Sequence, residues 1–219
     1  MKTVYFVRHG ESEANAGREI YHGEATPLTE KGREQARFIA KRCAKLEAEV
    51  LIASTAVRAQ QTASFIAEST GLPVEVSGLF TERKQPPELM GRSRTDEDAI
   101  RLEHEWALTL LKDGVRVGGG ENFADLKARV LEGLRHLHER PEERILVVSH
   151  GFFLHMLVAL VTLGESLTSA EFNRVAPAVW MDNTGLTRIE YRDQVFTRID
   201  GERHRGWVLR VWNDHAHLG

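Results

Sequence analysis

The chain has 219 residues, 42% of them hydrophobic and 28% charged, with a formal charge of −3. This is the balance of an ordinary globular protein with material for one large domain, and it lacks the positive field that would hold nucleic acid or an anionic membrane. A single cysteine excludes an intramolecular disulfide and a Cys-based zinc site.

Residues 3–7 are β-branched and aromatic and read as a buried strand. No apolar leader with a small-residue cleavage site precedes them, so a cytoplasmic protein is expected. The 29–46 stretch reads as a helix capped by Thr29, with Ala36, Ile39, Ala40, Cys43 and Leu46 on one apolar face, which makes Cys43 a core residue. A second strand at 49–53, a second helix at 56–69 closed by Gly71 and a short strand at 73–76 follow. From 80 to 120 the rhythm breaks. Pro86-Pro87, many charges, one amphipathic helix around 95–111 and Gly118-Gly119-Gly120 suggest an insertion. A long helix at 122–139 stops before Pro141, and a buried strand at 144–148 leads into an apolar helix at 151–163. That helix is too short to span a bilayer and carries His155. From Val179 onward the pattern turns to strands, at 186–191, 194–199 and 207–212, with turns at Arg192-Asp193 and Asp200-Gly201. The alternation predicts an α/β fold: a three-layer sandwich with a mainly parallel central sheet, helices on both faces and a small insertion over the carboxyl edge, residues 1–219 forming one domain.

Two segments echo each other. Residues 4–7 are followed by Arg8-His9-Gly10, and 145–148 by Ser149-His150-Gly151. In open α/β sheets the functional crevice lies at the carboxyl ends of the strands, so two such histidines can face one point. Glycine after each is expected to let the backbone approach a ligand. A third strand, 50–53, is followed by Ser54-Thr55-Ala56-Val57-Arg58, with Arg58 in the first turn of its helix. If the three strands are neighbours, Arg8, His9, Arg58 and His150 converge, and two forked guanidiniums suit phosphate oxygens. Taken singly, such a histidine is more often structural and such an arginine more often solvated; the same placement at three strand ends argues for a phosphate pocket.

These residues resemble the histidine phosphatase superfamily, also called phosphoglycerate mutase-like. Arg8-His9-Gly10-Glu11-Ser12 with Asn15 is similar to its signature; Pro27-Leu28-Thr29 with Gly32, Gln35 and Ala36 to the next block. Ser54-Thr55 with Arg58-Ala59 and Gln61-Thr62-Ala63 matches the third block, Ser149-His150-Gly151 the fourth, and Trp212-Asn213-Asp214 with His217-Leu218 the ending. The resemblance implies a phosphohydrolase acting on small phosphate monoesters, with His9 as nucleophile forming a phosphohistidine. Arg8, Arg58 and His150 would bind phosphoryl oxygens, with Asn15, the backbone near Gly23, and the glycines Gly10 and Gly151 beside them. It implies Glu82 as general acid, with Glu88 as rival beyond the Pro86-Pro87 step, and no cofactor. The sequence departs from the family at Ala25, where an acidic residue is common, and after Glu82-Arg83, where phosphoglycerate mutases continue with His-Tyr. Phosphatase is thereby favoured over mutase-type phosphoryl transfer, with a non-catalytic phosphate-binding relative as the remaining alternative.

No metal is expected. His136 and His138 lie two apart on a helix, His104-Glu105 lacks a histidine four residues after the first, and His215 and His217 suit a terminal turn. Arg83, Lys84, Arg92, Arg94 and Arg101 could draw a second negative group on the substrate or form a solvated surface. Trp106 and the 108–111 run could pack on the sheet or make a homodimer contact.

Overall fold

Six strands and seven helices alternate along the residues that the computed structural model describes, 1–17, 19–112, 114–193 and 205–218. The strands are β1 (Lys2–Arg8), β2 (Val50–Ala53), β3 (Val74–Val76), β4 (Arg144–Ser149), β5 (Leu186–Arg192) and β6 (Gly206–Asp214). The helices are α1 (Glu13–Ala16), α2 (Glu30–Cys43), α3 (Val57–Thr70), α4 (Glu97–Leu108), α5 (Phe123–Glu139), α6 (Gly151–Leu163) and α7 (Ser169–Val175). The predicted strand at 194–199 and the turn at Asp200-Gly201 lie outside the described residues.

The sheet order is β3-β2-β4-β1-β5-β6, with β3, β2, β4 and β1 parallel and β5 and β6 antiparallel to their neighbours. Because strand side chains alternate, the parallel strands are apolar on both faces. Val4, Phe6, Ile52, Ile145 and Val147 meet α5 and α6 through Leu126, Val130, Phe153 and Leu157. Val7, Leu51, Ala53, Leu146 and Val148 meet α2 and α3 through Ile39, Cys43, Ala63 and Ile66. Cys43 is thus a core residue, and burial pushes its thiol up to about 12.

Register places the site. Arg8 pairs with Ser149 across β1 and β4, and Ala53 with Val148 across β2 and β4, so the three strands end level. His9, His150 and Ser54 therefore leave the sheet at one edge.

Local signals act as expected at several ends. Thr29 Oγ1 accepts from the Gly32 N–H at 3.0 Å, Gly71 closes α3 at φ +74°, and Asn122 caps α5 through the Asp125 N–H at 2.9 Å. One element goes beyond the reading of the sequence: helix α7, ahead of which Thr168 and Glu171 form a capping box. The strand expected at 186–191 is β5, and just before it Thr184 donates its N–H to the Arg8 carbonyl at 3.0 Å.

Between β3 and α5 the chain makes a 3₁₀ turn at Gly78–Phe80, another at Pro87–Leu89, and then α4. Tyr21, Leu89 and Ala99 form a small core there with Leu102 and Trp106. Trp106 packs inward: its indole N–H donates to the Glu121 carbonyl at 3.0 Å, and a Cβ on Gly120 would come within 2.7 Å of its ring.

Candidate active site

His9 follows β1 and is buried. Its Nδ1 lies 2.7 Å from the Gly10 carbonyl, an acceptor only, so the proton of the neutral ring sits on Nδ1 and the lone pair on Nε2. Nε2 accepts from Arg58 Nε at 3.2 Å. Burial, with Arg58 and Arg8 beside it, holds the His9 pKa well below its ordinary value of 6.5, so the imidazole is neutral at neutral pH.

The other strand-end groups gather around it. The His150 ring is 4.9 Å from that of His9, centroid to centroid, and is fully buried. Its Nε2 is 2.7 Å from Ser54 Oγ, which also accepts the Ala56 N–H at 3.2 Å. That hydroxyl is free to donate to Nε2, which leaves the His150 proton on Nδ1. Burial, then His9 and the arginines, holds the His150 pKa well below 6.5 as well. Arg8 is fixed by the Met181 carbonyl through Nη1, and Arg58 by the Gly23 carbonyl through its own Nη1 at 3.3 Å. Two buried polar atoms of this cluster, Arg8 Nε and His150 Nδ1, have no partner among the described residues. Orphaned buried donors are costly, and here both belong to groups that would face a bound oxyanion.

Glu82 enters the same space from the segment after β3. Its Oε1 accepts three backbone N–H groups, from Arg83 at 2.9 Å, Phe152 at 3.0 Å and Phe153 at 3.3 Å. Its Oε2 is unbonded and lies 3.8 Å from where a Cβ on Gly151 would sit, as does Arg8 Nε. Glu88 is elsewhere: it is exposed, with Oε2 3.0 Å from the corresponding position on Gly118. Asn15 closes the other side. Its Oδ1 accepts from Ser12 N and Oγ at 3.1 Å each, its Nδ2 has no partner among the described residues, and Asn183 ties it to the His9 carbonyl.

The glycines differ in what surrounds them. A Cβ on Gly10 would meet the Gly32 carbonyl oxygen at 2.4 Å, so this glycine permits a close backbone approach to the start of α2. A Cβ on Gly151 would find ordinary van der Waals space, but within the gap between Arg8 and Glu82. A Cβ on Gly23 would strike Met90 Sδ at 2.8 Å.

Two further residues hold the site: Thr62, which belongs to the third motif block, and Arg129, which the sequence reading does not single out. Thr62 Oγ1 accepts the Gly10 N–H at 3.1 Å and donates to the Arg58 carbonyl at 2.8 Å, linking α3 to the loop of His9. Arg129 donates to the carbonyls of Leu79, Thr81 and Glu82 at 2.8–3.1 Å and pairs with both oxygens of Glu121 at 2.7 Å. It lies on the buried face of α5 beside Leu126 and Val130, an arginine at a core position, and that was the available signal.

The insertion's arginines do not face the site as free cations. Arg83 is buried, bonded to the carbonyls of Glu121 and Trp106 and to Thr109 Oγ1, with its guanidinium 3.9 Å from the Trp106 ring centroid. Arg92 pairs with Asp96, Arg94 with Glu103 and Arg101 with Asp98. Lys84 lines a separate groove with Glu121 and Arg129. His217 bonds Thr184 Oγ1 from a terminal 3₁₀ turn, and His138 stacks on Tyr191.

A profile of the histidine phosphatase superfamily (branch 1) matches residues 4–200. The chain is 33% identical over 223 residues to a probable phosphoglycerate mutase, GpmB, of Enterobacter sp. (strain 638), covering all of this chain and 95% of the relative. Among solved structures it is similar to a mycobacterial glucosyl-3-phosphoglycerate phosphatase in complex with VO3, at 25% identity and TM-score 0.72, over 97% of this chain and 99% of that one. A putative alpha-ribazole-5'-P phosphatase of Escherichia coli K-12 shares the fold at TM-score 0.76 with 24% identity, over 98% of each chain.

Proposed function

The chain belongs to the histidine phosphatase superfamily, and from that premise we propose that it hydrolyses small phosphate monoesters through a phosphohistidine on His9. The observation that carries this reading is the state of that ring: neutral, its Nδ1 proton spent on the Gly10 carbonyl, and its Nε2 lone pair aimed among two guanidiniums. A histidine so placed is a nucleophile, and splitting the displacement in two lowers each barrier.

In the first step His9 Nε2 attacks phosphorus and the P–O bond to the alcohol breaks. Phosphoryl oxygens take over the Arg58 donor and engage Arg8 Nε and His150 Nδ1, groups already fixed where negative charge develops. The departing alkoxide takes a proton from Glu82. With Oε1 held by three N–H groups, the proton is carried on Oε2, the oxygen that faces the cleft. The ring then bears a positive charge, shared with the Gly10 carbonyl through Nδ1. In the second step Glu82 removes a proton from water as the water attacks phosphorus; the P–N bond breaks, orthophosphate leaves and His9 returns neutral. No residue outside this set is needed to supply charge, so activity should survive chelators.

Similarity to a probable phosphoglycerate mutase makes phosphoryl return to a second hydroxy acid the alternative. Rapid mixing with substrate, quenching in base and peptide mapping decides the intermediate: phosphate on the His9 peptide is expected, and phosphate on no histidine despite a kinetic burst refutes the mechanism. Orthophosphate released from 3-phosphoglycerate, against its conversion to the 2-isomer, separates phosphatase from mutase.

A further inference from the structure

Exposed apolar side chains and carboxylates adjoin the residues that hold the phosphate cluster. Met90, 56% exposed, lies on Gly23, whose carbonyl holds Arg58. Phe152, 39% exposed, follows Gly151, and its N–H holds Glu82. Trp180, 71% exposed, precedes Met181, whose carbonyl holds Arg8, and its indole N–H is tied to Asp182 Oδ1 at 3.2 Å. One exposed apolar side chain needs no explanation; three that adjoin the residues framing one phosphate site point to a common role there.

Charge at the mouth points the same way. Asp182 acts on Arg8, and Glu24 on Arg58. A phosphate dianion that balances the two guanidiniums leaves those carboxylates at the rim, where a second anion on the substrate would meet them. The arginines of the insertion are committed to their own carboxylates or carbonyls, as described above. His155 lies one turn along α6 from Gly151, so its side chain leans back over that glycine toward Glu82 and Arg8. Its Nε2 is buried without a partner, and burial lowers its pKa, so at neutral pH it offers a hydrogen bond and no charge.

We propose that this cleft selects monoesters of apolar, aryl-bearing alcohols that carry no second anion, with Met90, Phe152 and Trp180 taking the organic part. The inference rests on the phosphomonoesterase reading for its substrate, but it is testable without turnover. Non-hydrolysable phosphonates with the same three-methylene spacer, 3-phenylpropylphosphonate and 4-phosphonobutyrate, are titrated calorimetrically into the whole protein. The phenyl compound should bind about tenfold tighter or more, and a Met90→Ser/Trp180→Ser double variant should shrink that ratio several-fold. Equal or tighter binding of the carboxylate, no binding of either, or a ratio indifferent to the double variant overturns the proposal. In parallel, 3-phenylpropyl phosphate should exceed 3-phosphoglycerate in kcat/KM, both being esters of primary alcohols. Phenyl-selective binding with no hydrolysis of any ester would uphold the cleft chemistry and refute the phosphomonoesterase reading alone.

Discussion

Replacing Glu82 with Gln removes one proton and leaves the scaffold standing. The side-chain oxygen of glutamine can accept the same three N–H groups, from Arg83, Phe152 and Phe153, and its NH₂ takes the place of Oε2 beside Gly151. Those bonds lose their ionic partner, worth about 1 kcal/mol each at most, while the desolvation of a charge is relieved; the net change in Tm should stay within about 4 °C. Catalysis should respond by leaving group. An alkoxide must be protonated as it departs, and a positioned acid is worth about 10²–10⁴, or roughly 3–5.5 kcal/mol. p-Nitrophenolate leaves without a proton, so its loss should be under about tenfold. Single-turnover rates on an alkyl phosphate and on p-nitrophenyl phosphate give the comparison at the phosphorylation step. Equal losses on both substrates would remove Glu82 as the acid, and a leaving-group-dependent loss in Glu88→Gln would transfer the role to Glu88, whose carboxylate sits on Gly118.

Three further outcomes are expected. Arg58→Ala should lower kcat/KM by about 10²–10³, the usual loss for one fixed donor to developing charge; near-normal turnover would take Arg58 out of the site. Arg129→Met leaves the Glu121 carboxylate and three carbonyls of residues 79–82 without their partner, so urea unfolding should show a loss of about 3–5 kcal/mol, with much of it recovered in Arg129→Met/Glu121→Leu. His9 and His150 are depressed below 6.5 in the folded protein, so below that pH the unfolded chain binds protons that the native state does not. Stability present above pH 6.5 should therefore fall as pH drops, by up to about 1.4 kcal/mol per pH unit for each histidine; flat urea midpoints between pH 7.5 and 5.5 would contradict the neutral rings.

The sheet and the strand-end cluster were legible because each rests on local pattern. Apolar runs at 3–7, 49–53 and 144–148 have one buried solution, and the motifs at their ends inherit their position from it. What could not be read depends on contacts distant in sequence. Nothing local to Arg83 says that its guanidinium is spent on the carbonyls of Glu121 and Trp106, so the segment looked more basic than it is. Nor does anything near Gly10 reveal its contact, Gly32, which lies 22 residues away across the start of α2.

The two halves of the site are held by different means, and this bears on how the chemistry is kept in register. His9, His150 and Arg58 come from strand ends that hydrogen bonding forces level, so their spacing is a property of the sheet. Glu82 has no strand beneath it. It is placed by the start of α6 through Oε1, by Arg129 through its carbonyl, and by Ser149 Oγ, which donates to the Phe80 carbonyl at 2.8 Å. Two of these three anchors, Ser149 and the α6 terminus, belong to the same strand-to-helix step that carries His150. Glu82 is thereby indexed to His150 although 68 residues separate them in sequence. The segment after it, at Met90 and beyond, can vary its surface without moving Glu82 relative to His9.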